Sequence, residues 1–554
     1  MTSGVRRAIG IVALYVALTA IVSWPFVNYS EFGTSSYGGD ARLIIWTLAW
    51  DNYAVLHGLP LFQSNLFFPA AESLRYNEHL FGVSLFTLPW AIAGASPVLA
   101  YNVTWWLSWV LNGLASFALL RRFVRRATAA FIGSLVYVCS FYVMQHAHGH
   151  LHLVWTWPLP LSMLLLERWF DRPRWGRAAL WALVVLLGAL TSWYMAVMVL
   201  LVNGLMGLVV LCTAREHAED GVSEAERWRA RAMQLVAAVL VVAALVAPFA
   251  RHYVGLRGAP GEASANAATL SGYVIPPENT LVGGWWKTHI DSRPGSIWGE
   301  TTVFAGWTAV LLAVCGLVVG ARVSMATPRR WIFPALVVAG VLISLGPTPA
   351  LPGGSTFAPF YWLSGLPGFE GMRAPGRFAL VAMLGVSGLT AGAVAWLMDR
   401  LRHGAVVVLL VPVMLAEWYV VGFPAGKPTP FPVPPIYQTA EVRSARALVS
   451  LPAYPASSPE WVFGANYLYY SMSHWRPIVN GFGRTEPPDY DRVLQLVERF
   501  PAQASALHAM GLQYVIVHAD QYPNHGQAIL AAARGSTGCR LVLQIGTDYL
   551  FELI

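Results

Sequence analysis

Asp40, in the stretch SYGGDARL, has the surroundings expected of a catalytic base. It lies in the polar segment 28–97 and follows Gly38 and Gly39, whose backbone freedom allows a ligand to approach closely. A carboxylate at such a position can take a proton from an attacking hydroxyl group. The alternative is structural, because Asp is also a favoured N-cap for a helix that begins at Ala41.

Glu78 and His79, in RYNEHLFG, form a second candidate pair in the same segment. A carboxylate next to an imidazole is suited to metal ligation or to proton transfer. The pair is therefore a candidate site for a divalent metal. A solvated turn is the alternative, since the spacing alone does not distinguish the two.

Four histidines alternate with other residues in QHAHGHLH. In an extended chain all four side chains lie on one face, and in a helix they form two i, i+4 pairs. Either geometry brings two imidazoles together on a metal or on an anionic head group. Alternatively, they are interfacial polar residues at a turn of the chain. The four are His146, His148, His150 and His152.

Two arginines in GLPGFEGMRAPGRF, Arg373 and Arg377, directly precede an apolar stretch and are separated by Pro375, which fixes a bend. Guanidinium groups at head-group level suit a phosphate or pyrophosphate, because their N–H donors match its oxygens. The alternatives are a structural salt bridge or a lipid anchor. Lys287, in GGWWKTH, is a further candidate for substrate binding.

The composition places these side chains in a membrane protein. Hydrophobic residues make up 56% of the 554 residues and charged residues 12%, with a mean hydropathy of +0.52. These values exclude a soluble chain and predict a polytopic membrane protein. Eleven apolar stretches approach the length of a membrane span. They lie near 8–27, 98–120, 127–144, 153–170, 178–194, 195–213, 233–250, 301–321, 331–346, 377–398 and 404–422.

The charges indicate how these spans are oriented. The net charge of +8 comes mostly from arginines at alternate ends of the apolar stretches, which indicates topology and not a nucleic-acid partner. The positive-inside rule then places the N-terminus in the cytoplasm and the C-terminus outside. No Walker A motif, Gly-rich dinucleotide motif or CxxC pair is present, so energy input from cytosolic nucleotide is unsupported.

The polar segments suggest two domains. Residues 1–422 are predicted to form a transmembrane core with a long outer loop, 28–97, that carries surface helices near 41–56 and 81–95. A Pro-rich linker then leads to residues 423–554. Strand-like runs at 512–518 and 541–545 flank a helical stretch, and helix patterns occur near 438–449, 489–499 and 503–511, so this tail is predicted to be a small α/β domain.

Several stretches make the chain resemble the bacterial GT-C fold membrane glycosyltransferases, which include the protein mannosyltransferase and aminoarabinose transferase groups. The opening third is similar: one span, a long loop with GGD, a second acidic motif and a span that ends in RRFVRR. A group of large bacterial membrane proteins is more similar still. The stretches that carry this likeness are DARLIIWTLAWDNYAVLHG, NLFFPAAESLRYNEHLFG, GHLHLVWTWPLPL, LPGFEGMRAPGRF and YYSMSHWRPIVNGFG.

The resemblance implies a multi-pass enzyme of the bacterial inner (plasma) membrane, acting in the cell envelope. It would transfer a hexosyl or pentosyl group from a polyprenyl-phosphate sugar to an extracytoplasmic glycan, lipid or protein. Asp40 matches the first acidic motif of the family and Glu78 the second. His79 departs from the commonest pattern, a second carboxylate, which puts metal dependence in doubt. Arg373, Arg377, His150, His152 and Lys287 are the candidates for substrate binding.

Two other classes of function fit the spans. A lipid or solute transporter or flippase shares them, although the charge-poor helices and the lack of internal repeats disfavour ion coupling. A non-catalytic membrane scaffold that presents the C-terminal domain is the other class, but it needs no acidic cluster in the first loop.

Overall fold

The computed structural model describes residues 3–24, 39–213, 224–256, 261–290, 300–319, 328–348, 350–351, 354–355, 358–366, 369–421, 432–455, 458–483 and 485–554. Gly38 and the first part of the Pro-rich linker, residues 427–431, lie outside these ranges. The chain divides into two compact units. We call Met1–Val27 with Thr104–Gly426 the helical unit, and Asn28–Val103 with Lys427–Ile554 the mixed unit.

All eleven predicted apolar stretches contain a helix. These helices are Ser3–Val22, Pro97–Phe123, Ala127–Val138, Pro158–Asp171, Trp175–Ala189, Trp193–Thr213, Glu224–Ala250, Trp307–Val319, Ile332–Ser344, Ala379–Met398 and His403–Trp418. Among the described residues, five segments are long and apolar enough to cross a membrane: Val5–Val22, Pro97–Phe123, Trp193–Thr213, Trp228–Ala250 and Pro375–Met398. The protein is therefore polytopic and largely helical, and the count of eleven spans stays a prediction.

One predicted span is interrupted. The stretch 127–144 contains a helix that ends at Val138 and the start of a second helix, Phe141–His146. Ser140 is the N-cap of the second helix, because its hydroxyl accepts a hydrogen bond from the Val143 N–H. Shorter elements of the helical unit are the helices Leu151–Val154, Glu262–Ala265, Leu281–His289 and Pro359–Leu363, the 3₁₀ turns Ser271–Tyr273, Pro328–Trp331 and Pro375–Phe378, and the strand pair Ala350–Leu351 and Gly354–Ser355.

The core of the helical unit is the helix Ala379–Met398, which is buried along almost its whole length. It packs against the helices Ala127–Val138, Trp307–Val319 and Ile332–Ser344. Small residues allow this close approach: a Cβ atom at Gly316 would collide with the backbone of Leu389. Such contacts suit helices in a membrane, where association depends on close packing.

The mixed unit contains a four-stranded sheet in the order Leu448–Leu451, Tyr514–His518, Asp548–Leu553, Cys539–Ile545; the first pair is parallel and the others are antiparallel. The two predicted strands and the helix Gln527–Gly535 are present. The predicted helix near 438–449 is wrong at its end, where Leu448 begins a strand. The other helices are Gly39–His57, Phe81–Ile92, Ala440–Ser444, Gly464–Ser471, Tyr490–Glu498 and Ala504–Ala509, with 3₁₀ turns Ser73–Tyr76, Pro435–Gln438, Pro459–Phe463, Ala519–Gln521 and Pro523–Gly526.

Both predicted surface helices of the first loop are formed, as Gly39–His57 and Phe81–Ile92. The first packs against Gly464–Ser471, a helix more than 400 residues later in the chain. The structure thus groups the first loop with the C-terminal segment in one compact unit, whereas the sequence had suggested a division at residue 422. The placement of these segments relative to a membrane stays a prediction.

Candidate functional site

The helical unit contains a buried cluster built on Glu300 and Arg377. One carboxylate oxygen of Glu300, Oε1, accepts hydrogen bonds from Nε and Nη2 of Arg377 at 2.8 and 2.7 Å. The other oxygen, Oε2, lies 3.4 Å from Nε2 of His146. Arg377 is 6% exposed and His146 5%. The carboxylate therefore has a cation on one side and an imidazole on the other.

The local backbone brings Arg377 to Glu300. Pro375 begins the 3₁₀ turn that leads into the buried helix, and the next residue, Gly376, lies directly against the main chain of Glu300. A Cβ atom at Gly376 would collide with the carbonyl oxygen of Glu300. The Gly376 N–H donates to the carbonyl of Asn266 at 3.1 Å. Glycine at this position therefore allows the two main chains to approach closely enough for the ion pair to form.

Tyr194 supports the same turn. Its hydroxyl accepts a hydrogen bond from the Ala374 N–H at 2.8 Å, and its ring lies under the guanidinium of Arg377, 4.5 Å from Cζ to the ring centroid. The cation is thus held over an aromatic face in addition to its carboxylate partner.

A turn at Gly149 brings three of the four histidines together. Gly149 has φ of 137°, in the left-handed region that favours glycine, and the His150 N–H donates to the His146 carbonyl at 2.9 Å. The ring centroids of His146 and His150 are 5.6 Å apart, and those of His150 and His152 are 6.0 Å apart. We call Glu300, Arg377, His146, His150 and His152 the histidine–arginine cluster.

Side chains of two neighbouring helices fix this turn through its carbonyl groups. Trp105 Nε1 donates to the carbonyl of Ala147 at 3.1 Å, and Asn112 Nδ2 to that of Val154 at 2.8 Å. The hydroxyl of Tyr137 donates to the Thr156 carbonyl at 3.0 Å. The histidines are therefore positioned on a rigid frame and not on a free loop.

His148 contacts main-chain carbonyl groups of its own turn. Its Nδ1 atom lies 3.1 Å from the carbonyl oxygen of Met144 and 3.3 Å from that of Gln145. The chain follows neither the continuous helix nor the extended strand considered from the sequence.

Burial sets the protonation of the cluster. It lowers the pKa of His146 and, more strongly, that of His152 below the usual value of 6.5, so both imidazoles are neutral at neutral pH. Burial by itself would raise the pKa of Glu300, but the charge of Arg377 and the contact with His146 outweigh it and lower that pKa well below 4.5. The ion pair is therefore charged across the physiological range.

One polar atom of the cluster has no partner in the described part of the chain. Nδ1 of His152 is fully buried, in a residue that is 6% exposed, and it makes no hydrogen bond to the described residues. A buried polar group without a partner costs about 1–3 kcal/mol, so such an atom points to a ligand that completes it.

The other two basic candidates have different partners. Arg373 Nη1 pairs with Glu262 Oε1 at 3.1 Å and is 36% exposed. Lys287 Nζ pairs with Glu278 Oε2 at 2.5 Å. The contact of Arg373 matches the salt-bridge alternative that the sequence left open, and a role of either residue in substrate binding stays a prediction.

The acidic candidates of the first loop lie in the mixed unit. Asp40 is in the first turn of the helix Gly39–His57. His79 is 3% exposed, and its Nδ1 atom accepts a hydrogen bond from the Phe81 N–H at 3.0 Å at the start of the next helix. This contact uses one of the two imidazole nitrogens of His79.

The described residues do not fit a complete metal site. Nowhere in these ranges do three or more His, Cys, Asp or Glu side chains come close enough to hold an ion. Glu78 and His79 alone fall short of the three or four protein ligands that such sites normally supply. A divalent metal at this pair stays a prediction, and no reaction step is assigned to it.

Asp51 is a further acidic side chain of the first loop, on the helix that carries Asp40. It is completely buried, and burial raises the pKa of its carboxyl group well above the usual 3.8. Asp51 is therefore a neutral acid over much of the acidic pH range, unlike a carboxylate that serves as a base.

The sequence did not identify Glu300 as a functional residue. The available signal was indirect, since Arg373 and Arg377 lie on the predicted outer side against the positive-inside preference and need carboxylate partners. Tyr142 and Tyr194 were also missed as neighbours of the cluster. The rings of Tyr142 and His146 are 4.4 Å apart, one helical turn from each other.

Comparison with solved structures identifies the fold. The chain is similar to the arabinofuranosyltransferase AftD from Mycobacteria, with a TM-score of 0.58, 14% identity, and coverage of 98% of this chain and 40% of that one. It is also similar to the oligosaccharyltransferase AglB from Archaeoglobus fulgidus in complex with an inhibitory peptide and a dolichol-phosphate, with a TM-score of 0.55, 11% identity, and coverage of 98% and 74%.

Both neighbours are GT-C fold membrane glycosyltransferases, and the chain shares their fold, which confirms the resemblance noted from the sequence. At these identities the similarity concerns the fold alone, and the chain spans about 40% of the length of the arabinofuranosyltransferase. A search of curated proteins found no significant match. Residues 83–418 match the model of the family described as a domain of unknown function, DUF6311, and the chain therefore belongs to that family.

Proposed function

We propose that the protein is a membrane glycosyltransferase that moves a sugar from a polyprenyl-phosphate donor to an extracytoplasmic acceptor hydroxyl. The observation that carries the proposal is the buried Nδ1 atom of His152, which has no hydrogen-bond partner among the described residues and lies within the electrostatic influence of Arg377, in a chain with the GT-C fold. A cationic group surrounded by hydrogen-bonding imidazoles is suited to the phosphate of such a donor.

The histidine–arginine cluster supplies the donor site in this proposal. Glu300 uses Nε and Nη2 of Arg377, which are two of the three nitrogens of the guanidinium group. In this proposal the phosphate binds beside the guanidinium group and accepts a further hydrogen bond from Nδ1 of His152. Glu300 holds the guanidinium in a fixed orientation, so little reorganisation is needed when charge builds on the leaving phosphate.

Asp40 is the proposed general base. The acceptor oxygen attacks the anomeric carbon of the sugar while Asp40 takes the hydroxyl proton. The bond between the anomeric carbon and the phosphate oxygen breaks, and polyprenyl phosphate leaves with the bonding electrons. Base catalysis of this type contributes ~10²- to 10⁴-fold to the rate. Glu78 is proposed to assist as the second acidic residue.

We further infer a bacterial plasma-membrane location, with the N-terminus in the cytoplasm and the acceptor chemistry outside. The distribution of arginines at alternate ends of the apolar stretches supports this orientation.

The test is consumption of donor by the purified protein in lipid nanodiscs. A panel of synthetic polyprenyl-phosphate sugars, pentofuranosyl and hexosyl, is offered with cell-envelope glycan as acceptor, and release of polyprenyl phosphate is measured. We expect at least one donor to be consumed, with loss of activity in Asp40→Asn and weaker donor binding in Arg377→Lys.

Gln495→Ala serves as the control, since Gln495 is exposed on the helix Tyr490–Glu498. Movement of intact donor across a liposome membrane without release of polyprenyl phosphate would contradict the proposal and support a flippase. Failure to bind or consume any donor would contradict both.

A further inference from the structure

The mixed unit contains a cavity of about 340 Å³ that none of the roles above explains. It is lined by Arg42, Asn466, Tyr469, Tyr470 and the run Pro432–Pro435. Its size lies within the ~300–1,000 Å³ usual for sites that hold a small ligand. The lining combines ring faces, an amide and a guanidinium group.

Two distant parts of the chain build this cavity. Arg42 comes from the first turn of the helix Gly39–His57, two residues after Asp40. Asn466, Tyr469 and Tyr470 come from the helix Gly464–Ser471, which packs against the first. Arg42, in the lining of the cavity, is therefore within one helical turn of Asp40, the proposed base.

The chemistry of the lining matches a sugar ring. Tyrosine presents a flat apolar face with a hydroxyl at its edge, which suits the alternating C–H and O–H groups of a pyranose or furanose. The amide of Asn466 both donates and accepts, and the guanidinium of Arg42 donates to hydroxyl oxygens in a fixed fork. Proline rings add a stiff apolar wall.

The aromatic wall is held rigid from behind. The ring of Tyr470 lies 5.1 Å from that of Tyr437. The hydroxyl of Tyr437 is 2.7 Å from Ser450 Oγ and 2.8 Å from His518 Nε2, and Nδ1 of His518 is 2.6 Å from Asp548 Oδ1. A wall fixed in this way lowers the entropy cost of binding.

A second cavity in the same unit, of about 190 Å³, provides a contrast. Its lining is mainly apolar and includes Leu48, Leu56, Ala91, Ala100 and Met472. Such a lining suits a hydrocarbon group and not a hydrated sugar. Of these two cavities, the larger is therefore the one equipped for carbohydrate.

We propose that the cavity of Arg42, Asn466, Tyr469 and Tyr470 binds a sugar residue of the acceptor glycan. Binding of carbohydrate follows from the lining alone, and only the assignment of that sugar to the acceptor rests on the proposed function. The lipid phosphate of the donor has a separate candidate site in the histidine–arginine cluster, so the polar cavity of the mixed unit is assigned to the acceptor.

The test is direct binding of glycans to the full-length protein, without any donor. The labelled protein in nanodiscs is applied to an array of synthetic oligosaccharides that includes arabinofuranosides, galactofuranosides and mannosides, and the best binder is then titrated. We expect Asn466→Ala and Tyr470→Ala to weaken binding about tenfold each, the effect of losing one or two neutral contacts. Gln495→Ala, outside the cavity, should bind as the unmodified protein does.

Melting temperatures distinguish lost binding from lost folding: weaker binding in Asn466→Ala and Tyr470→Ala at an unchanged melting temperature supports the site. Tyr470→Phe keeps the ring that packs on Tyr437 and should bind with near-normal affinity. Absence of glycan binding up to millimolar concentrations would overturn it, as would equal affinity in the variants and the control. Variant-sensitive binding without any transferase activity would support the site while contradicting the proposed function.

Discussion

The sharpest structural prediction concerns the buried ion pair of Glu300 and Arg377. Replacing Glu300 with Gln keeps the volume and leaves the guanidinium without its carboxylate in a side chain that is 7% exposed. Removing one partner of a buried pair typically costs about 3–5 kcal/mol, because the remaining charge is buried without compensation. We therefore expect a clearly lower melting temperature for Glu300→Gln.

The matched control is Glu262→Gln. Glu262 pairs with Arg373, which is 36% exposed, and exposed pairs contribute about 0–1 kcal/mol. Unfolding of the purified protein in detergent is followed by tryptophan fluorescence for both variants. The effect of Glu262→Gln should be several times smaller than that of Glu300→Gln.

A double-mutant cycle separates charge from packing. Arg377→Met in the Glu300→Gln background removes the uncompensated cation and should recover part of the lost stability. Equal melting temperatures for Glu300→Gln and Glu262→Gln, or strictly additive effects in the cycle, would refute the buried-pair reasoning. The ion pair would then be no more than a surface contact in energetic terms.

Three further predictions concern protonation and catalysis. Because burial lowers the folded-state pKa of His152, the unfolded chain takes up a proton below about pH 6.5 that the folded chain does not, so stability should fall as the pH falls below 6.5. His152→Gln should reduce this slope in melting temperatures measured against pH. An unchanged slope would argue against the lowered pKa of His152. Because burial raises the folded-state pKa of Asp51, ionisation of its buried carboxyl group destabilises the fold as the pH rises above about 3.8. Asp51→Asn cannot ionise, so its stability relative to the unmodified protein should grow as the pH rises above this value. A constant difference in stability would contradict the raised pKa of Asp51. Asp40→Asn should lower the melting temperature only slightly, since loss of a negative charge from the first turn of a helix typically costs about 0.3–1 kcal/mol, while transfer falls ~10²-fold or more in the donor-consumption assay; full activity would return Asp40 to a structural role.

The positions of the helices were predictable because they depend on local sequence. Each apolar stretch long enough to bury its own backbone polar groups becomes a helix, whatever the rest of the chain does. The same holds for the strand at Tyr514–His518, where β-branched residues follow one another, and for the helix Gln527–Gly535, which is rich in alanine. The turn chemistry at Gly149 is also local.

The sites were not predictable to the same extent, because they depend on contacts between distant residues. Only the tertiary structure brings Glu300 to Arg377, 77 residues later, and this contact decides that the arginine is a member of an ion pair. Local sequence likewise gave no indication that the helix with Arg42 packs against the helix with Tyr470. Hydrophobic periodicity specifies which face of an element is buried, but the choice of partner follows from packing and charge compensation over the whole fold.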